Sequence, residues 1–117
     1  MRAWLLSIAF LITGLSGAFA VELTITVPGD APLEQTDVTY NCDGRDLGVT
    51  YINAGTVSLV TFEIGGEAVV ASNVIAASGA RYAGGQYVWW TKGDEAQLFD
   101  ATLGEDAKAI LSCTAKD

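Results

Sequence analysis

Residues 57–76 read VSLVTFEIGGEAVVASNVIA, and this stretch decides the fold class. Both halves are rich in β-branched and aromatic residues, which favour a pleated, half-buried backbone. Between them stands Gly65-Gly66, a pair typical of the two-residue turn of a β-hairpin. The stretch therefore predicts two antiparallel strands, at 57–64 and 67–76, joined by a tight turn.

The same rhythm continues on both sides of this hairpin. Short runs of alternating or β-branched residues are separated by Gly- or Asp-containing turns, at roughly the eight- to twelve-residue spacing of all-β domains. Further strands are predicted at 22–27, 38–42, 47–53, 80–82, 86–91, 95–101 and 108–114, with a second hairpin turn at Gly84-Gly85. A helix of one or two turns is the alternative near 104–110. The pattern predicts an all-β domain, and a small antiparallel barrel is favoured over a sandwich because closure leaves no exposed edge.

The first 20 residues have the three parts of a signal peptide. A positive start, Met1-Arg2, precedes an apolar run at 3–12, and Ala18-Phe19-Ala20 offers a small-x-small cleavage site. We expect cleavage after Ala20, which leaves one domain at 21–117. The apolar run is short for a membrane span, and no cysteine follows the cleavage site to carry a lipid. No membrane anchor is therefore expected in the mature form.

The two cysteines predict a single disulfide. An export signal with an even cysteine count favours the pairing of Cys42 with Cys113. The chain contains no histidine, so the two thiols could complete a zinc site only with carboxylates. We expect neither a metal nor another cofactor.

The charge balance restricts the class of partner. The chain has 6 basic and 14 acidic residues, a net charge of −8, and loss of Arg2 with the signal peptide would make it more acidic still. Nucleic acid is disfavoured, because binding its phosphates requires a basic surface. An acidic surface attracts a cationic protein and accelerates the encounter. The same charge also serves to keep an exported protein soluble.

Two loops around the Gly84-Gly85 hairpin are candidates for binding. Ser78 is followed by small residues, so a partner's backbone can approach its hydroxyl. Lys92 precedes the turn signal Gly93-Asp94, which places a long cationic side chain near a loop tip. Because a hairpin brings its outer ends together, we expect both residues at one end of the barrel. Such residues also occur in ordinary solvated turns, so their role stays open on this ground alone.

The two tryptophans that precede Lys92 divide between the faces of a strand. Neighbouring residues in a strand point to opposite sides. One of Trp89 and Trp90 is therefore expected in the core, and the other partly exposed.

The loop segments resemble a known family. The two motifs are Ala77-Ser78-Gly79-Ala80-Arg81-Tyr82 and Trp90-Thr91-Lys92-Gly93-Asp94-Glu95-Ala96. Together with the Val38-x-Tyr40-x-Cys42-Asp43-Gly44 segment, Val49-x-Tyr51 and Cys113, they are similar to the periplasmic and membrane-bound inhibitors of c-type lysozyme. The likeness extends from Val38 to Cys113.

The resemblance implies a fold, a partner and a site. It implies an eight-stranded antiparallel β-barrel with one disulfide that inhibits c-type lysozyme and is not an enzyme. It also implies that Ser78 and Lys92 enter the enzyme's cleft, with further contacts from Gly79, Arg81, Tyr82 and Gly93. Because the chain has no cysteine placed for lipidation, it resembles the soluble, periplasmic branch of the family. We expect a monomer or a homodimer.

Two other functions are weighed against inhibition. A Ser78–Lys92 nucleophilic pair would make the protein an enzyme, but the chain lacks Ser-x-x-Lys and the Gly-x-Ser-x-Gly elbow. A barrel of this size could instead hold one small ligand. Its many small residues permit such a cavity without requiring one.

Overall fold

The computed structural model describes residues 22–116. They form eight strands and one 3₁₀ turn: β1 (Leu33–Cys42), β2 (Arg45–Ala54), β3 (Val57–Ile64), β4 (Glu67–Val74), β5 (Ala80–Gly84), β6 (Tyr87–Lys92), β7 (Glu95–Asp100), η1 (Ala101–Leu103) and β8 (Leu111–Ala115). Each strand pairs with the next in antiparallel fashion, and β8 pairs with β1, so the sheet closes into a barrel. This confirms the predicted antiparallel barrel and excludes the sandwich. The signal peptide expected at 1–20 lies outside the described residues.

Tight turns set the register of the first hairpins. Asp43 and Gly44 between β1 and β2 have φ of 53° and 88°, and Gly65 and Gly66 between β3 and β4 have φ of 58° and 79°. Positive φ at both central residues matches the right-handed twist of the paired strands. Since strand residues alternate between faces, a fixed register also fixes which side chains enter the barrel.

The barrel interior is filled by side chains. Trp89 is fully buried, as are Leu98, Val49 and Val60. The Trp89 ring packs edge-on against Tyr40, with the ring centroids 5.3 Å apart. Trp90, the next residue, is only half-buried on the outer face, as the predicted division between the tryptophans requires.

A short seam closes the barrel. Only three residue pairs join β1 to β8, from Tyr40↔Ala115 to Cys42↔Cys113. The last of these pairs carries the disulfide Cys42–Cys113, which confirms the predicted pairing. The disulfide joins the first and last strands and therefore stabilises closure at a short ladder.

Two predicted elements do not form. Residues 22–27 are not a strand, and the barrel closes through β1 and β8 without them. The alternative helix near 104–110 does not form. A 3₁₀ turn stands at 101–103 instead, where the Asp100 carboxylate accepts a hydrogen bond from the backbone N–H of Thr102 at 2.9 Å.

No helix within residues 22–116 is long and apolar enough to cross a membrane.

The second hairpin turn lies one residue later than predicted. Gly84 is the last residue of β5, and the turn is formed by Gly85 and Gln86. A Cβ at Gly84 would lie 2.2 Å from the carbonyl oxygen of Val70. Gly84 is thus a strand glycine that allows β4 and β5 to approach closely.

Candidate functional site

The Ser78 loop (residues 75–79) and the Lys92 turn (residues 92–95) lie side by side at one end of the barrel. The loop connects β4 to β5 and the turn connects β6 to β7, and in an up-and-down barrel alternate connections share an end. Ala80 pairs directly with Thr91 across β5 and β6. Ser78 is two residues before this pair and Lys92 is one residue after it, so the register brings the two together as the sequence predicts.

The backbone of the Ser78 loop is shaped by Gly79 and Trp90. Gly79 has φ of 67°, a conformation that L-residues rarely adopt. The indole N–H of Trp90 donates a hydrogen bond to the carbonyl oxygen of Ser78 at 3.0 Å. The Ser78 residue itself is exposed, so its side chain is accessible to a partner.

The Lys92 turn presents a cation in acidic surroundings. Lys92 pairs with Glu95 at the end of the β6–β7 ladder, and Gly93 has φ of 59°. Lys92, Asp94 and Glu95 are all exposed, and within residues 22–116 Lys92 forms no ion pair. The carbonyl oxygen of Asp94 accepts a hydrogen bond from the N–H of Ala115 at 2.7 Å, which ties the turn to the end of β8.

The other predicted site residues divide by position. Arg81 is exposed on the outer face of β5. Gly79 and Gly93 shape the backbone at the two connections. Tyr82 is only 8% exposed and belongs to the core, because it follows Arg81 in the strand and therefore points to the opposite face. The Tyr82 side chain therefore packs inside the barrel, and its expected contact with a partner stays a prediction.

A hydrogen-bonded group of aromatic residues lies inside the barrel. The Tyr51 hydroxyl accepts from the indole N–H of Trp89 at 2.9 Å and lies 2.7 Å from the Tyr40 hydroxyl. Tyr82 packs against Tyr51 with ring centroids 5.9 Å apart. Burial disfavours the charged form and raises the pKa of Tyr40, Tyr51 and Tyr82 above the ordinary value. These tyrosines stay neutral and pack the strands that carry the two connections.

One exposed apolar residue was missed by the sequence interpretation. Ile75 is 99% exposed and stands three residues before Ser78 on the same loop. The sequence placed it within a strand at 67–76, whereas β4 ends at Val74. Recognising that β4 ends at Val74 would have placed this isoleucine in the loop. Ile75 is the most exposed large apolar side chain in the described part of the chain, which makes it a candidate contact for a partner.

A groove lies on the outer face of β5, β6 and β7, beside the connection from β7 to β8. It has a volume of about 390 Å³, and Val88, Trp90 and Phe99 form its apolar wall. Arg81, Asp100 and Glu105 are among its charged lining residues. Within residues 22–116, no group of three or more His, Cys, Asp or Glu side chains is arranged to hold a metal ion.

Comparison with known proteins identifies the family. The sequence profile described as membrane-bound lysozyme-inhibitor of c-type lysozyme matches residues 40–107, which include both connections. The chain belongs to this family. The resemblance predicted from the two motifs is thereby confirmed.

Relatives in the lysozyme-inhibitor family match most of the chain. A protein of Pseudomonas aeruginosa named membrane-bound lysozyme inhibitor of C-type lysozyme is 44% identical over 91 residues, which cover 76% of this chain and 72% of the relative. A protein of the same name from Cupriavidus necator is 42% identical over 105 residues, which cover 86% of this chain and 84% of the relative.

A solved structure of the lysozyme-inhibitor family shares the barrel. The crystal structure of Pseudomonas aeruginosa MliC in complex with hen egg white lysozyme superposes with a TM-score of 0.70 at 40% identity. The match covers 85% of this chain and all of that chain. The eight-stranded barrel is thus the fold of the family.

Proposed function

We propose that this protein inhibits c-type lysozyme by inserting the Ser78 loop and the Lys92 turn into the active-site cleft. The observation that carries the proposal is the Ala80↔Thr91 pair, which sets Ser78 and Lys92 on adjacent connections at one end of the barrel. The names of the relatives and the lysozyme bound in the related crystal structure support the choice of partner.

Lys92 would act on the carboxyl groups of the enzyme. C-type lysozyme uses a protonated glutamic acid as general acid and an ionised aspartate as nucleophile. An ammonium between them would pair with the aspartate and stabilise the ionised form of the glutamate, which lowers the pKa of the general acid. Exposure of Lys92 without an ion pair in the described part of the chain leaves its charge available. The proposed action is binding, not catalysis.

Ser78 and Arg81 would complete the contact. The exposed Ser78 can donate and accept hydrogen bonds to polar groups of the cleft. Arg81 is exposed on the adjacent strand and would contact the rim of the cleft. Together with Lys92, these residues would exclude the polysaccharide from the groove in which it is cleaved.

We propose an exported, periplasmic location for the mature protein. The signal-peptide pattern at 1–20 supports export. Both cysteines of the sequence are joined in the disulfide, which supports a form without a lipidated cysteine. A disulfide is also stable in an oxidising compartment of this kind.

Inhibition of cell-wall lysis tests the proposed function. Purified mature protein at micromolar concentration should slow lysis of a peptidoglycan suspension by a c-type lysozyme. Lys92→Ala should weaken inhibition about a hundredfold, because charged hydrogen-bonded contacts in a buried site contribute about 2–5 kcal/mol, and Ser78→Ala about fivefold. Lys108→Ala is the matched control, since Lys108 is exposed at the opposite end of the barrel. Undiminished lysis with the wild type, or equal potency of all three variants, contradicts the proposal.

A small-ligand function has one observation in its favour. The barrel interior is occupied by residues such as Trp89 and Leu98, which argues against a ligand at its centre. The outer groove of about 390 Å³ has an apolar wall and charged rims. An apolar compound that co-purifies with the protein after gentle extraction would support this alternative.

A further inference from the structure

We propose that Trp90 is a positioning residue that holds the Ser78 loop in the shape that enters the lysozyme cleft. The inference rests on the proposed function and adds to it a residue that contacts the loop from outside the barrel. Its basis is the hydrogen bond from the Trp90 indole N–H to the carbonyl oxygen of Ser78, 3.0 Å long.

This hydrogen bond holds a segment that the β ladder leaves unpaired. Pairing between β4 and β5 ends at Val74↔Arg81, so residues 75–79 lie outside the ladder. Trp90 lies on β6, twelve residues further along the chain than Ser78. The bond therefore fastens the loop to a strand that neither precedes nor follows it.

Gly79 shows how closely the loop lies on Trp90. A Cβ at this position would be 3.1 Å from the indole nitrogen and 3.2 Å from its neighbouring ring carbon. It would also lie 2.3 Å from the carbonyl oxygen of Thr91, and the φ of 67° is strained for other residues. Glycine at 79 thus lets the loop backbone lie directly against the indole and the β6 backbone.

The position of Trp90 links the two proposed contact groups. Trp90 stands two residues before Lys92 on β6. Its indole N–H contacts Ser78, which lies two residues before the start of β5 at Ala80. Its fully buried neighbour Trp89 anchors β6 in the core. Trp90 therefore fixes Ser78 relative to Lys92. A loop ordered before binding loses less conformational freedom when it binds.

The Trp90→Phe variant tests this role, because phenylalanine keeps an aromatic ring but lacks the N–H donor. We expect about a fivefold rise in the inhibition constant against c-type lysozyme, the effect of one neutral hydrogen bond. Phe99→Leu, which alters the same outer groove from β7, should stay within twofold of the wild type. Equal potency of Trp90→Phe and wild type overturns the proposal.

A double-mutant cycle separates positioning from a general loss of structure. If Trp90 acts through Ser78, the effect of Trp90→Phe should shrink in the Ser78→Ala background, since coupled residues are not additive. An unchanged effect in that background overturns the inference. Gly79→Ala should weaken inhibition at least as much as Trp90→Phe, with the far-ultraviolet circular dichroism of the barrel retained. Wild-type potency of Gly79→Ala also overturns it.

A measurement without lysozyme distinguishes this inference from the proposed function. In the free protein, the Trp90 indole proton should exchange with solvent more slowly than the freely exposed indole of a tryptophan peptide. The backbone amide resonances of Ser78 and Gly79 should shift in Trp90→Phe. Failure of the wild type to inhibit lysozyme would remove the proposed function, whereas fast indole exchange would remove the positioning role.

Discussion

Single side chains at the loop end of the barrel combine three kinds of chemistry. Lys92 offers a charge, Ser78 a hydroxyl, and Ile75 an apolar group in full contact with water. Residues of these types make unequal contributions to binding, because a few well-placed contacts carry most of the free energy. The exposed isoleucine is the member of this group for which the fold itself offers no packing role.

Ile75→Ser is expected to weaken lysozyme inhibition about tenfold. Burying an isoleucine side chain contributes about 1.5–3 kcal/mol, and a loop-tip residue gains part of that. The thermal midpoint should not change, since the Ile75 side chain is 99% exposed in the free protein. Leu103→Ser is the control in the same lysis assay, because Leu103 is 61% exposed at the opposite end. Equal loss in both variants would show that Ile75 makes no specific contact.

The buried tyrosines predict alkaline sensitivity. Burial raises the pKa of Tyr40, Tyr51 and Tyr82 above 10.0 in the folded barrel. The unfolded chain then loses these protons first, so the free energy of unfolding falls as pH rises above about 10. Urea unfolding at pH 8 and pH 11 should show the fall, and Tyr51→Phe should reduce it. Equal stability of the wild type at both pH values would contradict the neutral state of these groups.

At the level of strands, the barrel is uneven. Ten residue pairs join β1 to β2 but three join β1 to β8. Tight turns close most hairpins, whereas the seam joins strands from opposite ends of the chain and has no turn to support it. The disulfide and the exposed Lys116–Asp46 ion pair, 3.0 Å long, both lie near this seam. We expect the disulfide and the ion pair to contribute very different amounts to the free energy of unfolding.

Removing the disulfide should cost far more stability than removing the ion pair. The Cys42→Ser/Cys113→Ser double variant should lose about 2–5 kcal/mol, because a bridge with a sequence separation of 71 restricts the unfolded chain. Lys116→Ala should lose less than about 1 kcal/mol, since exposed ion pairs are screened by water. Urea unfolding of the three proteins measures both effects. A double variant as stable as Lys116→Ala would show that the seam does not need the bridge.

At the scale of the whole molecule, the negative charge is spread over the barrel surface. The chain has a net charge of −8, and exposed carboxylates lie both in the Lys92 turn, on Asp94 and Glu95, and in the β3–β4 hairpin, on Glu63 and Glu67. The field of these carboxylates extends around a small barrel. The acidic surface would therefore attract a cationic enzyme, and the loop end would bind it.

Salt should slow association more than it speeds dissociation. Raising the ionic strength from about 0.01 M to 0.15 M shortens the Debye length from about 30 Å to about 8 Å. The association rate constant with c-type lysozyme should fall by about tenfold or more, while the dissociation rate constant changes by less than about threefold. Stopped-flow fluorescence can follow both. An association rate independent of salt would mean that the net charge serves solubility alone.

The sequence by itself determined most of the strands, the Gly65-Gly66 turn and the disulfide partners. Residues 57–64 and Gly65-Gly66 form the predicted strand and turn because period-two alternation and positive φ are local properties of the chain. The paired motifs around Ser78 and Lys92 likewise sufficed to predict the family, and the hairpin between them sufficed to place both residues at one end of the barrel.

Only the tertiary structure decided how the site is supported and which side chains are free to make contact. It buried Tyr82, exposed Ile75, and set Trp90 against Ser78 and Gly79. These outcomes depend on where β4 ends, on the register between β5 and β6, and on barrel closure. Each is set by contacts between residues distant in the chain, which local pattern does not encode. That is why the sequence predicted the two connections, while the contact that holds one of them in place emerged from the fold.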